Sequence, residues 1–146
     1  MLSNDPNDEL KTLDVEKASN ALVSAINQFL SECVQTQDFC KIPHNELTVQ
    51  EVEYFKDVCL LAQSVGLEVL GRLLYCAYDK YNISFDELKV RQLSHLDWSK
   101  EADMWRDNVV TLNPNPKNPS KRFKMTNHPT TVEVAVYRAK SHLGWI

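Results

Sequence analysis

From Asp14 to about Gln35 apolar residues recur at three- and four-residue steps, with Val15, Ala18, Leu22, Ala25 and Phe29 on one line and Ala21, Ile26, Leu30 and Cys33 widening it. That period puts them on one face of a helix, expected over about 14–35 and in need of a partner surface. Residues 1–12 before it are polar, carry Asp5-Pro6-Asn7-Asp8 and show no period, so a flexible leader is expected there. The stretch from Gln35 to Leu47 contains Pro43 and several turn formers, and should connect rather than continue the helix.

Thr48 and Glu51 have the spacing of a capping box, in which the threonine oxygen accepts from the third helical amide and the glutamate reaches back to the threonine N–H. After them Val52, Phe55, Val58, Cys59, Ala62, Val65, Leu67, Leu70, Leu74 and Ala77 carry apolar character almost to Tyr81. Either one long helix over about 49–80 or two pieces broken near 64–66 would account for this. Gly66, costly in a helix interior, should permit close packing or mark the break. Ser84 and Glu87 predict a further capping box and a short helix over about 85–93.

The pattern then changes. Val109 to Leu112 and Lys121 to Met125 are short extended runs around Asn113-Pro114-Asn115-Pro116-Lys117-Asn118-Pro119, a hairpin over about 109–125 with a loop too long for a two-residue turn. Pro129 suits the first turn of a final helix over about 130–142, and Gly144 suits its left-handed end. The fold expected is mainly α: a multi-helix bundle forming a single domain over 13–146, with a small β-hairpin near the C-terminus followed by a final helix.

Composition adjusts this only slightly. With 146 residues, 43% hydrophobic and 25% charged, the chain is long enough for one core without metal or disulfides. No apolar run approaches a membrane span, and the N-terminus lacks the basic start and apolar segment of a signal peptide, so a cytoplasmic address and no membrane partner are expected. Cys33, Cys40, Cys59 and Cys76 show no CxxC spacing and read as buried free thiols. Cys33, Cys40 and His44 could supply three zinc ligands, but no matching pair follows, and no cofactor is expected.

Charge is distributed unevenly within a total of −4: residues 1–99 carry eight Lys/Arg against sixteen Asp/Glu, and residues 100–146 eight against four. The two parts should face different partners, or each other. Lys117, Lys121, Arg122 and Lys124 fall within eight positions, beside Asn115, Asn118 and Ser120, and could contact a nucleic-acid backbone. A solvated loop is the plainer account. No dinucleotide-binding, phosphate-loop, HExxH or nucleophile-turn motif is present. His44, His95, His128 and His142 are scattered, as surface or helix-end groups would be. Asp97, between Leu96 and Trp98, should cap a turn or pair with a nearby Arg or Lys. Trp98, Trp105 and Trp145 would either fasten the hairpin and last helix to the bundle or, if exposed beside basic residues, stack on bases.

Several short runs, in order, carry a family resemblance: Val65-Gly66-Leu67-Glu68-Val69-Leu70-Gly71-Arg72, then Leu93-x-x-Leu96-Asp97-Trp98-Ser99-Lys100, then Trp105, then Ala139-Lys140-Ser141-His142-Leu143-Gly144. Over about residues 48–146 this looks like the C-terminal region of DGQHR-domain proteins, the DndB-like group associated with DNA sulfur modification (phosphorothioation). The family's Asp-Gly-Gln-His-Arg motif is absent, so no activity tied to it carries over; a natural short form and a piece of a longer chain are both compatible. Lys100 stands where arginine is common, and Glu101-Ala102-Asp103 replaces an Asn-Pro-like pair before Trp105. The resemblance makes Leu96, Asp97, Trp98, Ser99, Trp105 and Gly144 a structural motif. It implies a non-enzymatic accessory or regulatory domain of a DNA-modification or defence system, with DNA binding and transcription regulation, and DNA, a DGQHR-domain protein or a second copy as partner. The alternative is a protein-interaction or dimerisation module without nucleic-acid binding.

Overall fold

The computed structural model describes residues 6–146, with side chains from Thr12 onward. Helices α1 (Pro6–Glu32), α2 (Val34–Cys40), α3 (Val49–Val58), α4 (Ser64–Cys76), α5 (Glu87–Ser94) and α6 (Pro129–Leu143) build a mainly α fold. Two antiparallel strand pairs accompany them, β1 (Tyr78–Asp79) with β2 (Ser84–Phe85) and β3 (Val110–Leu112) with β4 (Phe123–Met125). None of the helices in the described residues is long and apolar enough to cross a membrane.

The leader expected over 1–12 is corrected from Pro6 onward, where the backbone is already helical; residues 1–5 lie outside the described residues. Proline is tolerated at a helix start because the first amides have no intrahelical acceptor. The helix expected to 35 instead stops at Glu32, because Cys33 turns extended (φ −77°, ψ 121°) and sinks its side chain fully into the core. The buried Thr36 hydroxyl sits 3.0 Å from the Leu30 carbonyl and 3.4 Å from that of Cys33, tying off the end of α1. The apolar stripe is buried only in its second half: Ala25, Phe29 and Cys33 enter the core, while Val15 and Leu22 remain 65% and 41% exposed.

The long apolar run after the Thr48–Glu51 capping box is two helices, and both capping hydrogen bonds form as expected. The break falls at Cys59–Gln63, through a 3-10 turn at Leu60–Ala62, and not at 64–66. Gly66 lies inside α4 and serves close packing: a Cβ built on it would stand 2.0 Å from the Leu60 carbonyl oxygen. Past Ala77 the chain makes the β1–β2 ribbon, which periodicity did not predict. Asp79 shapes its turn by accepting from the Tyr81 and Asn82 amides, and Ile83 takes a left-handed φ of 50°. Ser84 therefore belongs to β2, and the cap of α5 is Asp86, whose Oδ1 accepts from Leu88 and Lys89 at 3.0 and 3.1 Å.

The hairpin and last helix stand close to their expected places. β3 and β4 pair Val110 with Met125, Thr111 with Lys124 and Leu112 with Phe123. Within the connecting loop, Asn118 caps a 3-10 turn at Pro119–Lys121. His128 accepts the Thr130 amide at the start of α6, and Gly144 (φ 74°) ends it while the Trp145 amide donates to the Lys140 carbonyl. The second half of α1 packs on α5, α2 and β2, and α4 packs on α6 and α5. Phe29, Leu60, Val69, Leu73, Leu93, Trp98, Trp105 and Val132 fill the shared core.

Two glycines of α4 should respond oppositely to alanine. Gly66→Ala should destabilise the protein by roughly 1–3 kcal/mol, because backbone must shift to admit the methyl group. Gly71 has nothing within 4 Å of its built Cβ. Gly71→Ala should therefore stabilise by about 0.5–1 kcal/mol through helix propensity. Denaturant unfolding of the two variants measures both, and equal effects would contradict the packing described.

Candidate functional site

Burial alternates along Leu96 to Lys100: Leu96, Trp98 and Lys100 are buried, while Asp97 is exposed and Ser99 half-buried. It is held by the interruption between α3 and α4. The Leu60 amide donates to the Trp98 carbonyl and the Lys100 amide to the Val58 carbonyl, each at 2.9 Å, with Cys59 opposite Ser99. The interrupted helix thus supplies the partner that the motif needs.

Trp98 stacks on Trp105 with ring centroids 5.1 Å apart and meets Phe29 edge-on at 5.7 Å. Its Nε1 donates to the Leu93 carbonyl at 2.9 Å, and that of Trp105 to the Asp97 carbonyl at 2.6 Å. Both rings have no exposed surface, so base stacking by Trp98 or Trp105 is ruled out and they fasten the core instead. Trp145 is half-buried, bonded through Nε1 to Gln92 and lying under Lys89. Asp97 does shape a turn, with Oδ1 accepting from the Ser99 amide, but its long-range partner is Gln35 Nε2 at 3.1 Å, not an Arg or Lys. Trp98→Ala should cost roughly 3–5 kcal/mol, as for other large aromatic truncations in a packed core. Loss of cooperative thermal unfolding together with the near-ultraviolet aromatic signal is the expected result; a variant as stable as the wild type would contradict this anchoring role.

The four basic residues of the 117–124 stretch divide into two kinds. Lys121 donates to Asp57 Oδ1 at 3.0 Å and lies 3.9 Å from Glu53, both on α3. Arg122 pairs with Glu101 at 3.3 Å and lies over the Phe123 ring. The basic loop thereby meets the acidic part of the chain. Lys117 and Lys124 are exposed and, among the described residues, have no carboxylate within ion-pair distance. Asn118 and Ser120 are engaged with each other, and the Ser120 hydroxyl also donates to Asp57 Oδ2 at 3.0 Å.

Between α3 and this loop lies a pocket of about 210 Å³, lined by Tyr54, Asp57, Ser99, Lys100, Glu101 and Ser120 among others. Lys100 is 3% exposed, and among the described residues its ammonium has neither a hydrogen-bond acceptor nor a carboxylate within ion-pair distance. Burial pulls its pKa below the ordinary lysine value, with Asp57 acting in the opposite sense. Sequence reasoning placed Lys100 only as a variant position of a motif and overlooked Asp57. The alternation from Leu96 to Lys100 was the available signal, since it puts a lysine at an inward position.

A family model described as DndB, DNA-sulfur modification-associated, matches residues 1–146. The chain belongs to the DndB family. Membership associates it with DNA sulfur modification, and the match includes the first helices as well as the stretch from 48 onward that the motifs covered. No curated protein and no solved structure matches it.

Elsewhere the thiols divide: Cys33 and Cys59 are buried, Cys76 is half-buried and Cys40 is exposed, which corrects the expectation that all four are buried. Burial raises the Cys33 thiol and pushes that of Cys59 up to about 11. The described residues hold no group of three His, Cys, Asp or Glu suited to a metal ion.

Burial alone would raise the Asp57 carboxyl, but the hydrogen bonds from Lys121 and Ser120 outweigh it and hold the group below its ordinary value. A carboxylate depressed in the folded state stabilises above its unfolded pKa, and that contribution disappears as pH falls through the folded one. The stability gap between wild type and Asp57→Asn should therefore be constant near neutrality and narrow below about pH 4. Urea unfolding at stepwise lower pH reads this directly, and a gap unchanged down to about pH 2 would contradict it.

Proposed function

We propose that this DndB-family chain is a non-enzymatic accessory or regulatory domain of DNA sulfur modification that contacts duplex DNA through the face around the β3–β4 loop. The observation that carries the reading is the pair of exposed lysines without carboxylate partners, Lys117 and Lys124, beside the half-exposed Arg122. Cations free of internal partners gain most from neutralising phosphates, because no ion pair has to be broken first. Lys121 changes role relative to the sequence-based expectation: engaged by Asp57 and Glu53, it holds the loop against α3 and is not a primary contact. In this view the domain acts in the cytoplasm as a DNA-binding regulator of transcription, alone or with a DGQHR-domain protein.

A second reading, a dimerisation module, is favoured by the exposed first half of the α1 stripe. Val15 and Leu22 lie a heptad apart, and such a seam suits a second copy.

Fluorescence anisotropy with a labelled duplex at several salt concentrations tests the first reading. Lys117→Ala with Lys124→Ala should weaken binding at low salt and make the slope of log K against log salt shallower, by about 0.9 for each phosphate that is no longer neutralised. Unchanged binding in the double variant, or none in the intact protein, rejects DNA contact through this face. Light scattering that finds a stable dimer without duplex affinity would favour the second reading.

A further inference from the structure

The pocket between α3 and the loop at 113–122 has an imbalance that the surface lysines do not explain. Its two lining carboxylates are matched from outside the lining: Asp57 by Lys121, and Glu101 by Arg122. Glu53, exposed and 3.9 Å from Lys121, does not line the space. Among the described lining residues Lys100 is therefore the charge without an ion-pair contact, Asp57 acting on it only from beyond that distance, and its side chain is almost wholly buried. Ser99 and Tyr54 also line the pocket, and among the described residues neither hydroxyl has a hydrogen-bond partner. The Lys100 side chain, buried along its length, lines a space of about 210 Å³ together with half-buried Ser99 and exposed Tyr54, and none of the three donors has an acceptor among the described residues.

We propose that this pocket is an oxyanion site that takes a single phosphate group, with the Lys100 ammonium as its charge anchor and the Ser99 and Tyr54 hydroxyls as further donors. A tetrahedral oxyanion offers acceptors in several directions at once, as an ammonium and two hydroxyls lining one space require, and it supplies a negative charge for the lysine. Burial disfavours the charged form of Lys100, and an anion beside it would offset that. Lysine suits this position as a compact point charge with rotatable donors, whereas the planar fork of arginine would have to be re-accommodated. The inference rests on the DNA-contact reading only for the source of the phosphate: Pro119 and Ser120, of the same loop as Lys117, line the space, so a duplex held on that loop would supply a backbone phosphate. A free phosphate would satisfy the same chemistry.

The test is an amide NMR titration of the intact chain with inorganic phosphate, ionic strength being held constant with chloride. Saturable shifts are expected at Ser99, Lys100, Glu101 and Ser120, weakened at least tenfold in Lys100→Met and unaffected in Lys117→Ala. Should Lys100→Met fail to fold, Ser99→Ala must weaken the same shifts several-fold. No shifts at these amides, or shifts that never saturate, would overturn the proposal. A short duplex that perturbs the same amides and competes with phosphate identifies a nucleic-acid backbone as the source. Phosphate binding that no duplex displaces keeps the oxyanion site and removes its link to DNA, while a duplex that binds the protein without touching these amides, with phosphate silent, sinks the pocket and leaves DNA contact intact.

Discussion

The fold depends on a short antiparallel contact between two segments that are not part of any regular sheet. Leu60 and Lys100 exchange amide hydrogen bonds with Trp98 and Val58 across the interruption between α3 and α4, and this bridge directs Trp98 inward. Trp98 then touches the first helix through Phe29 and the last third of the chain through Trp105. Backbone amides released by breaking a helix would be costly if buried unpaired, so the break and the Asp-Trp-Ser-Lys segment require one another. Gly66 completes the arrangement, since only a residue without a Cβ allows α4 to lie against the Leu60 carbonyl.

The same bridge brings the acidic and basic parts of the chain together. By fixing Lys100 and Glu101 beside the end of α3, it forms one side of a pocket whose other side is the loop held by Lys121 on Asp57. Part of the positive charge that the sequence concentrates from residue 100 onward is neutralised within the molecule, with Arg106, Lys121 and Arg122 in ion pairs. On the loop and hairpin, what faces solvent is a smaller set of cations than the linear sequence suggests, Lys117 and Lys124 with Arg122 partly committed. The electrostatic face of this DndB-family chain is narrower, and the more unusual charge lies beneath it.

The helical elements were legible because their signals are local. The Thr48–Glu51 box, Pro129 and Gly144 act on amides and carbonyls within a few residues, and each stands where periodicity put it. Errors arose where a partner distant in sequence decides. Cys33 ends α1 by entering a core made by other elements. Asp86 replaces Ser84 as a cap because β2 pairs with β1 and takes Ser84 out of reach. The first half of the α1 stripe has an apolar period like the second, yet only the second meets α5 and β2.

By itself the sequence determined the mainly α class, the hairpin before a final helix, and the caps at Thr48 and Gly144, because these follow from backbone hydrogen bonding and side-chain period over a few residues. Only the tertiary structure decided which cations remain free, that Trp98 and Trp105 are anchors, and that the Lys100 side chain is buried without an ion-pair contact. Those properties depend on which carboxylate or carbonyl lies within about 3 Å, where charge-assisted bonds form, and that distance is set by elements some 60 residues apart, as Asp57 and Lys121 are.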